Sequence, residues 1–189
     1  LFASTSDAET ACKGLMRLSH RLRMCTAPTL SKASPSGLYA ITGGLGGLGL
    51  RAATLLADRG APGVVLSSRS GQMGKEPLEL ERCRLDAVAS EVGDALDVLS
   101  LCTQNMVAGM LHAAGVLDDR MLSSMGAENA TAVFLPKALA ASHLHHATAQ
   151  HSLEVQGLFS SVASLFGNFG QASYAAANAY LDGLASSRR

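Results

Sequence analysis

No run of apolar residues approaches the ~20 needed to cross a bilayer. The first residues carry Asp7, Glu9 and Lys13 where a secretory signal would have an apolar core. The sequence therefore predicts a soluble, cytoplasmic protein with no membrane partner. Formal net charge is zero, which leaves no cationic surplus for a polyphosphate and disfavours nucleic acid as a partner. Cys12, Cys25, Cys83 and Cys102 form no C-x-x-C pair, so spacing suggests neither a zinc site nor a disulfide framework. The cluster His143, His145, His146 and His151 has no carboxylate or cysteine inside its segment. It is expected to be a polar helix face, and no metal is expected.

What is present is a chain of 189 residues, 48% hydrophobic with 19 glycines. That is enough for one domain burying roughly 70% of its unfolded surface, with many tight turns. Residues 1–36, with their Ser, Thr and Pro and one weakly amphipathic stretch over 15–22, read as a leader and linker. Residues 37–189 read as the functional domain. Leu1 is not a methionine, and the sequence is expected to be cut from something longer.

A short strand is predicted over 38–42, followed at once by Gly43-Gly44-Leu45-Gly46-Gly47-Leu48-Gly49 and a helix over 50–58. Bare backbone can approach a pyrophosphate closely, and the amides and dipole of the next helix favour its negative charge. The strand before and the helix after give the glycine loop the context this reading requires. The next strand, over 64–67, ends in Ser68-Arg69, about twenty residues past the loop, where an NAD site would place a carboxylate on the ribose hydroxyls. A guanidinium suits a 2′-phosphate instead, so NADPH is the expected cofactor.

From Glu76 onward, Leu78, Leu85, Val88 and Val92 recur at helical spacing and predict an amphipathic helix. Strands are then predicted over 96–102 and 107–112, separated by only four residues. The second closes in His112-Ala113-Ala114-Gly115, small residues that let backbone lie against a flat cofactor. A helix over 127–149 carries Lys137, which is the only lysine after Lys75. Near the C-terminus an apolar run delivers Ser160 and Ser161, a loop with Gly167 and Gly170 follows, and an Ala-rich helix is predicted over 173–187. The hydroxyls should sit at a strand's C-terminal end, where open α/β sheets bind ligands. The spacing of four puts the phenol of Tyr174 and the amide of Asn178 on one face of that helix.

Taken together, Thr42 with the glycine loop to Gly49, Leu66-Ser-Ser-Arg69, His112-Ala-Ala-Gly115, Lys137, Ser161 and Gly170-Gln-Ala-Ser-Tyr174-Ala-Ala-Ala-Asn178 resemble the ketoreductase domains of modular polyketide synthases, in the short-chain dehydrogenase/reductase superfamily. Animal fatty acid synthase ketoreductases look similar but match less closely. The resemblance implies a Rossmann-like, doubly wound parallel α/β sheet, ending in this chain after the helix that bears Tyr174. It implies a β-ketoacyl substrate tethered through phosphopantetheine to acyl carrier protein, NADPH as reductant, and neighbouring synthase domains in polyketide or fatty acid building. Tyr174 would protonate the carbonyl oxygen, Ser161 would hydrogen-bond it, and Lys137 would favour the tyrosinate. Asn178, standing where the wider superfamily has a lysine, would help hold Lys137 and a water. Thr42 through Gly49, Ser68, Arg69 and His112 through Gly115 would bind the cofactor. Leu117-Asp118-Asp119, with no tryptophan in the chain, looks like the signature of the class that sets a D-hydroxyl.

Two departures from the family are expected. The link between Cys102 and Val107 is too short to be a crossover, since three or four residues span at most ~14 Å and parallel neighbours need a dozen or more. On that reading Thr103 takes the place of the family's aspartate near the adenine. The chain also ends at Arg189, before the family's last strands and lid, so the piece alone is expected to bind NADPH weakly and turn over poorly. A non-catalytic remnant inside a megasynthase and a stand-alone short-chain dehydrogenase stay open as alternatives.

Overall fold

The computed structural model describes residues 11–13, 16–18, 34–73, 80 and 82–188. The chain divides into two units, residues 1–32 and 33–189. In the first, β1 (Ala11–Lys13) pairs antiparallel with β2 (Met16–Leu18). The leader and linker reading of 1–36, including its amphipathic stretch, otherwise falls largely outside the described residues.

The second unit is a five-stranded sheet in the order β5-β4-β3-β6-β7, with β3 Leu38–Thr42, β4 Gly63–Ser68, β5 Arg84–Ala89, β6 Gly109–His112 and β7 Val155–Leu158. Every pairing is parallel. The chain builds outward from β3 to β5, then crosses to β6 on the other side, so the order reverses between β3 and β6. That is the switch point at which doubly wound sheets open a crevice at their carboxyl ends.

Alternation along the strands sends side chains to two cores. Ala40, Val65 and Met110 face one side, where they pack with Val98, Leu101 and Leu144 of α2 (Ala95–Asn105) and α4 (Ala140–Ala147). Ile41, Val64 and Leu66 face the other, against Ala52 and Ala53 of α1 (Gly47–Asp58).

Two elements differ from the sequence expectation, and the differences are linked. The helix predicted from Glu76 is, over its described part, strand β5. Leu85 and Val88, three apart, would share a helix face, but here Leu85 packs in the α1 core and Val88 in the α2 core. Their spacing matched a helix only because odd offsets in a strand fall on opposite faces, both of which are covered. The segment predicted as a strand over 96–102 is helix α2. The Asp94 carboxylate caps it by accepting from the Leu96 and Asp97 amides at 2.7 and 3.3 Å. Val98, Leu101 and Cys102 are its buried stripe, at helical offsets. The helix ends at Met106, whose φ of 45° is left-handed.

The crossover that looked absent is therefore α2 itself, and the link to β6 is an ordinary short αβ connection. Thr103 sits on α2, its hydroxyl donating to the Leu99 carbonyl at 2.9 Å, and occupies no place at a strand end. The predicted 127–149 helix is also divided: α3 (Ala127–Phe134) passes through a π turn at Leu135–Leu139 into α4. Pro136 lies in that turn, where it lacks the N–H a regular ladder would use. After β7 come the one-turn α5 (Ala163–Phe166) and the long α6 (Ala172–Ser187). Among the described residues no helix is long and apolar enough to cross a membrane.

Candidate active site

The loop from Gly43 to Gly46 leaves β3 and enters α1 without a side-chain cap. Gly43 has a φ of +66°, and a Cβ there would lie 2.6 Å from the Ala114 backbone. A Cβ on Gly49 would meet Gly44 at 2.5 Å. Both glycines are thus demanded by close backbone approach. The first i to i−4 bond of α1 runs from the Leu50 amide to the Gly46 carbonyl, so the amides of Gly47, Leu48 and Gly49 precede the ladder and point from the helix end as an anion site does.

This loop forms one wall of a cleft of about 700 Å³ at the switch point. Of the residues expected to hold a cofactor, Gly43, Gly46, Ser68, Arg69, Ala113, Ala114 and Gly115 line it. Leu45 lines an adjoining hollow with Ser68 and Arg69. Arg69 is exposed just beyond β4. The Thr42 and His112 side chains lie elsewhere, fully buried beneath the cleft. Their strand register pairs them, Thr42 with His112, and both point into the α2 and α4 side of the sheet.

The sequence reading missed Ser90, Glu91, Val92, Gly93 and Asp94, which line the same cleft. They follow β5, so misreading that strand as a helix hid them. The helix cap signal of Asp94 ahead of an apolar stripe could have found them. Pro136 and Leu135 of the π turn also line it.

Lys137 stands in that π turn, 5% exposed. Its Nζ donates to the Phe159 carbonyl at 2.9 Å and lies 5.6 Å from the centre of the Tyr174 ring. Burial pushes its pKa down, because the charged form is the one desolvation penalises. A Cβ on Gly115 would come 3.5 Å from Nζ, which puts the lysine directly under the loop that lines the cleft.

Tyr174 is half-buried in the first turn of α6. One turn on, Asn178 is fully buried, its Nδ2 donating to the Tyr174 carbonyl at 2.8 Å while its Oδ1 has no partner among the described residues. No direct bond links Asn178 and Lys137. Ser160 donates to the Asn178 carbonyl at 3.4 Å, tying the end of the β7 run to α6. Ser161 Oγ accepts from the Ala163 amide at 3.2 Å, and that use leaves its hydroxyl proton free to donate.

The loop of Asp118 and Asp119 is tied to the same region. Asp118 accepts from Arg120 Nε at 2.8 Å and from Asn129 at 3.0 Å. Gln171, at the start of α6, donates to both Asp119 oxygens at 3.1 Å. The carboxylates therefore fix the loop that enters the site against the helix bearing Tyr174.

The family described as the KR domain matches residues 37–189. Among curated proteins, a phenolphthiocerol/phthiocerol polyketide synthase of Mycobacterium tuberculosis is 38% identical over 98% of this chain and 11% of its own length. Polyketide synthase GfsA of Streptomyces halstedii is 40% identical over 90% of this chain and 2% of its own length. The chain thus spans about a tenth or less of these two relatives. Among solved structures, an A-type ketoreductase from a modular polyketide synthase superposes with a TM-score of 0.84 at 34% identity, over 97% of this chain and 42% of that one. The first ketoreductase of the tylosin synthase gives 0.83 at 34% identity, over 98% and 43%.

Proposed function

From the premise that this chain belongs to the KR domain family, we propose that it is the NADPH-dependent reductase of a β-ketoacyl thioester, carried on acyl carrier protein, within a polyketide synthase. The observation that carries this reading is the placement of a buried lysine ammonium 5.6 Å from the Tyr174 ring, under a glycine-lined cleft. When bound, NADPH supplies hydride to the β-carbon. The fit of the cleft to such a group rests on Gly43, where a Cβ would collide with Ala114, on the unladdered amides at the start of α1, and on Arg69 as the cation for a 2′-phosphate.

The chain's own residues handle the proton. As Tyr174 gives up its proton, the negative charge left on its oxygen is stabilised by a neighbouring positive charge. Lys137 provides it. Ser161 donates to the carbonyl oxygen as charge develops there, and Tyr174 protonates that oxygen as a general acid. Asn178, whose buried Oδ1 has no partner among the described residues, would hold a water that returns the proton. The resemblance of Leu117-Asp118-Asp119 points to a D-hydroxyl product.

The test is to supply the intact protein with NADPH and a carrier-bound β-ketoacyl chain and to follow the product by mass. The expected product has gained two hydrogen atoms. An unchanged thioester under conditions where NADPH binds would overturn the reading and favour a structural remnant. Cofactor choice is checked separately. Arg69→Ala is expected to weaken NADPH binding by tenfold or more while leaving NADH nearly unchanged, as loss of a charge-assisted hydrogen bond of about 1.5–3 kcal/mol requires.

A further inference from the structure

Lys137 is a flexible four-carbon stem, so the direction in which its ammonium is presented depends on how its backbone is held. That backbone lies in a π turn, a departure from the regular helical ladder. The side chain that reaches it from outside the helix is His112, fully buried at the end of β6.

The ring uses both nitrogens. Nε2 lies 2.9 Å from the Lys137 carbonyl and Nδ1 lies 2.6 Å from Thr42 Oγ1. A carbonyl can only accept, so Nε2 carries the proton, and Nδ1 accepts from the Thr42 hydroxyl. Burial keeps the imidazole neutral, its pKa pushed down to about 4, which this single-tautomer arrangement requires. Thr42 and His112 are paired neighbours at the ends of β3 and β6, so the ring is anchored on two central strands.

The same residue also governs the other end of the lysine. The His112 carbonyl accepts from the Phe159 amide at 3.0 Å, and the Phe159 carbonyl in turn accepts from Lys137 Nζ at 2.9 Å. His112, Lys137 and Phe159 thus close a ring of three hydrogen bonds, with the lysine held at its carbonyl and at its ammonium.

Building on the reductase reading above, we propose that His112 is a positioning residue: anchored by Thr42, it grips the Lys137 carbonyl and so sets where the ammonium meets Tyr174. Its imidazole does not touch the cofactor cleft, and its effect passes through Lys137.

Amide side chains separate this role from simple core filling. Gln places a nitrogen near the position of His Nε2 and can keep the bond to Lys137. Asn reaches only the position of Nδ1 and can keep only the bond to Thr42. In the intact protein, His112→Gln is expected to retain kcat within about threefold of wild type. His112→Asn is expected to fall at least about tenfold, as loss of one buried hydrogen bond implies, with NADPH affinity and KM for the thioester unchanged. Crystal structures of both variants read the geometry without turnover. Nζ should remain on the Phe159 carbonyl in His112→Gln and leave it in His112→Asn.

Equal kcat for the two variants, or Nζ still on Phe159 in His112→Asn, overturns the proposal. Where His112→Asn does not fold, Thr42→Val removes the anchor with little change of shape. It should lower kcat several-fold at unchanged NADPH affinity, and a wild-type kcat would count against the proposal. An intact wild type that binds NADPH but leaves the thioester untouched refutes the reductase reading, while the position of Nζ in the variants still decides the positioning role.

Discussion

His112 is the buried titratable group that most directly couples the sheet to the site, and its neutrality carries a stability cost in acid. The folded imidazole titrates at about 4 rather than 6.5. Between those values the unfolded chain binds a proton that the folded chain refuses, so stability rises with pH across the window and is lost as pH falls from 6.5 toward 4. The full span is on the order of 3 kcal/mol. Urea midpoints taken across that window should show the slope in wild type and a flatter profile in His112→Gln. Some placements at this scale were legible in the sequence. A spacing of four put Tyr174 and Asn178 on one face of one helix, as α6 has them, while the roles of Tyr174, Asn178 and Lys137 came only with the resemblance. The directions of Thr42 and His112 were not legible. Strand register sends both into the core, and a motif read as a string of cofactor contacts contains no register.

At the scale of elements, β5 and α2 show where periodicity misleads. A strand covered on both faces can carry apolar residues three apart, as Leu85 and Val88 do, and so imitate a helix. A helix whose partly exposed face also holds Leu96 and Leu99 carries apolar residues beyond its buried stripe and so imitates a strand. The cap decides between them. Asp94 satisfies two orphan amides of α2, and Asp94→Ala should cost about 1 kcal/mol of stability, seen as a lower thermal midpoint. If residues 96–102 were a strand, the substitution would be nearly silent. The glycine loop, α1, β3, β4 and α6 were readable because their signals are local: a turn chemistry, a helix propensity and a short β-prone run. The π turn was not, since Pro136 inside a helical pattern predicts a break or kink but not which ladder the chain adopts around it.

For the molecule as a whole, α2 completes the crossover into β6, and the cleft opens at the switch point between β3 and β6. The Rossmann-like class was implied by the resemblance, with the strand, glycine loop and helix of residues 38–58 as its local sign. The crossover into β6 was not legible, because reach arguments inherit any error in the elements they connect. An intact cleft should bind the dinucleotide tightly enough to shift unfolding. NADPH at a hundred times its Kd should stabilise the protein by about 2.7 kcal/mol. Gly43→Ala, which places a Cβ against the Ala114 backbone at a left-handed φ, should lower the unliganded thermal midpoint and abolish most of that shift. The two readouts come from one titration of each protein.

Tyr174 acting as the acid under the influence of Lys137 is the central claim, and single-turnover reduction by Tyr174→Phe in the intact protein tests it most directly. Phenylalanine keeps the ring that packs with Val133 and Ala177 and removes only the hydroxyl. The predicted result is NADPH affinity equal to wild type with the rate of thioester reduction lower by ~10²–10⁴-fold, the usual contribution of a positioned general acid. A rate within a few-fold of wild type, at equal NADPH affinity, would contradict it.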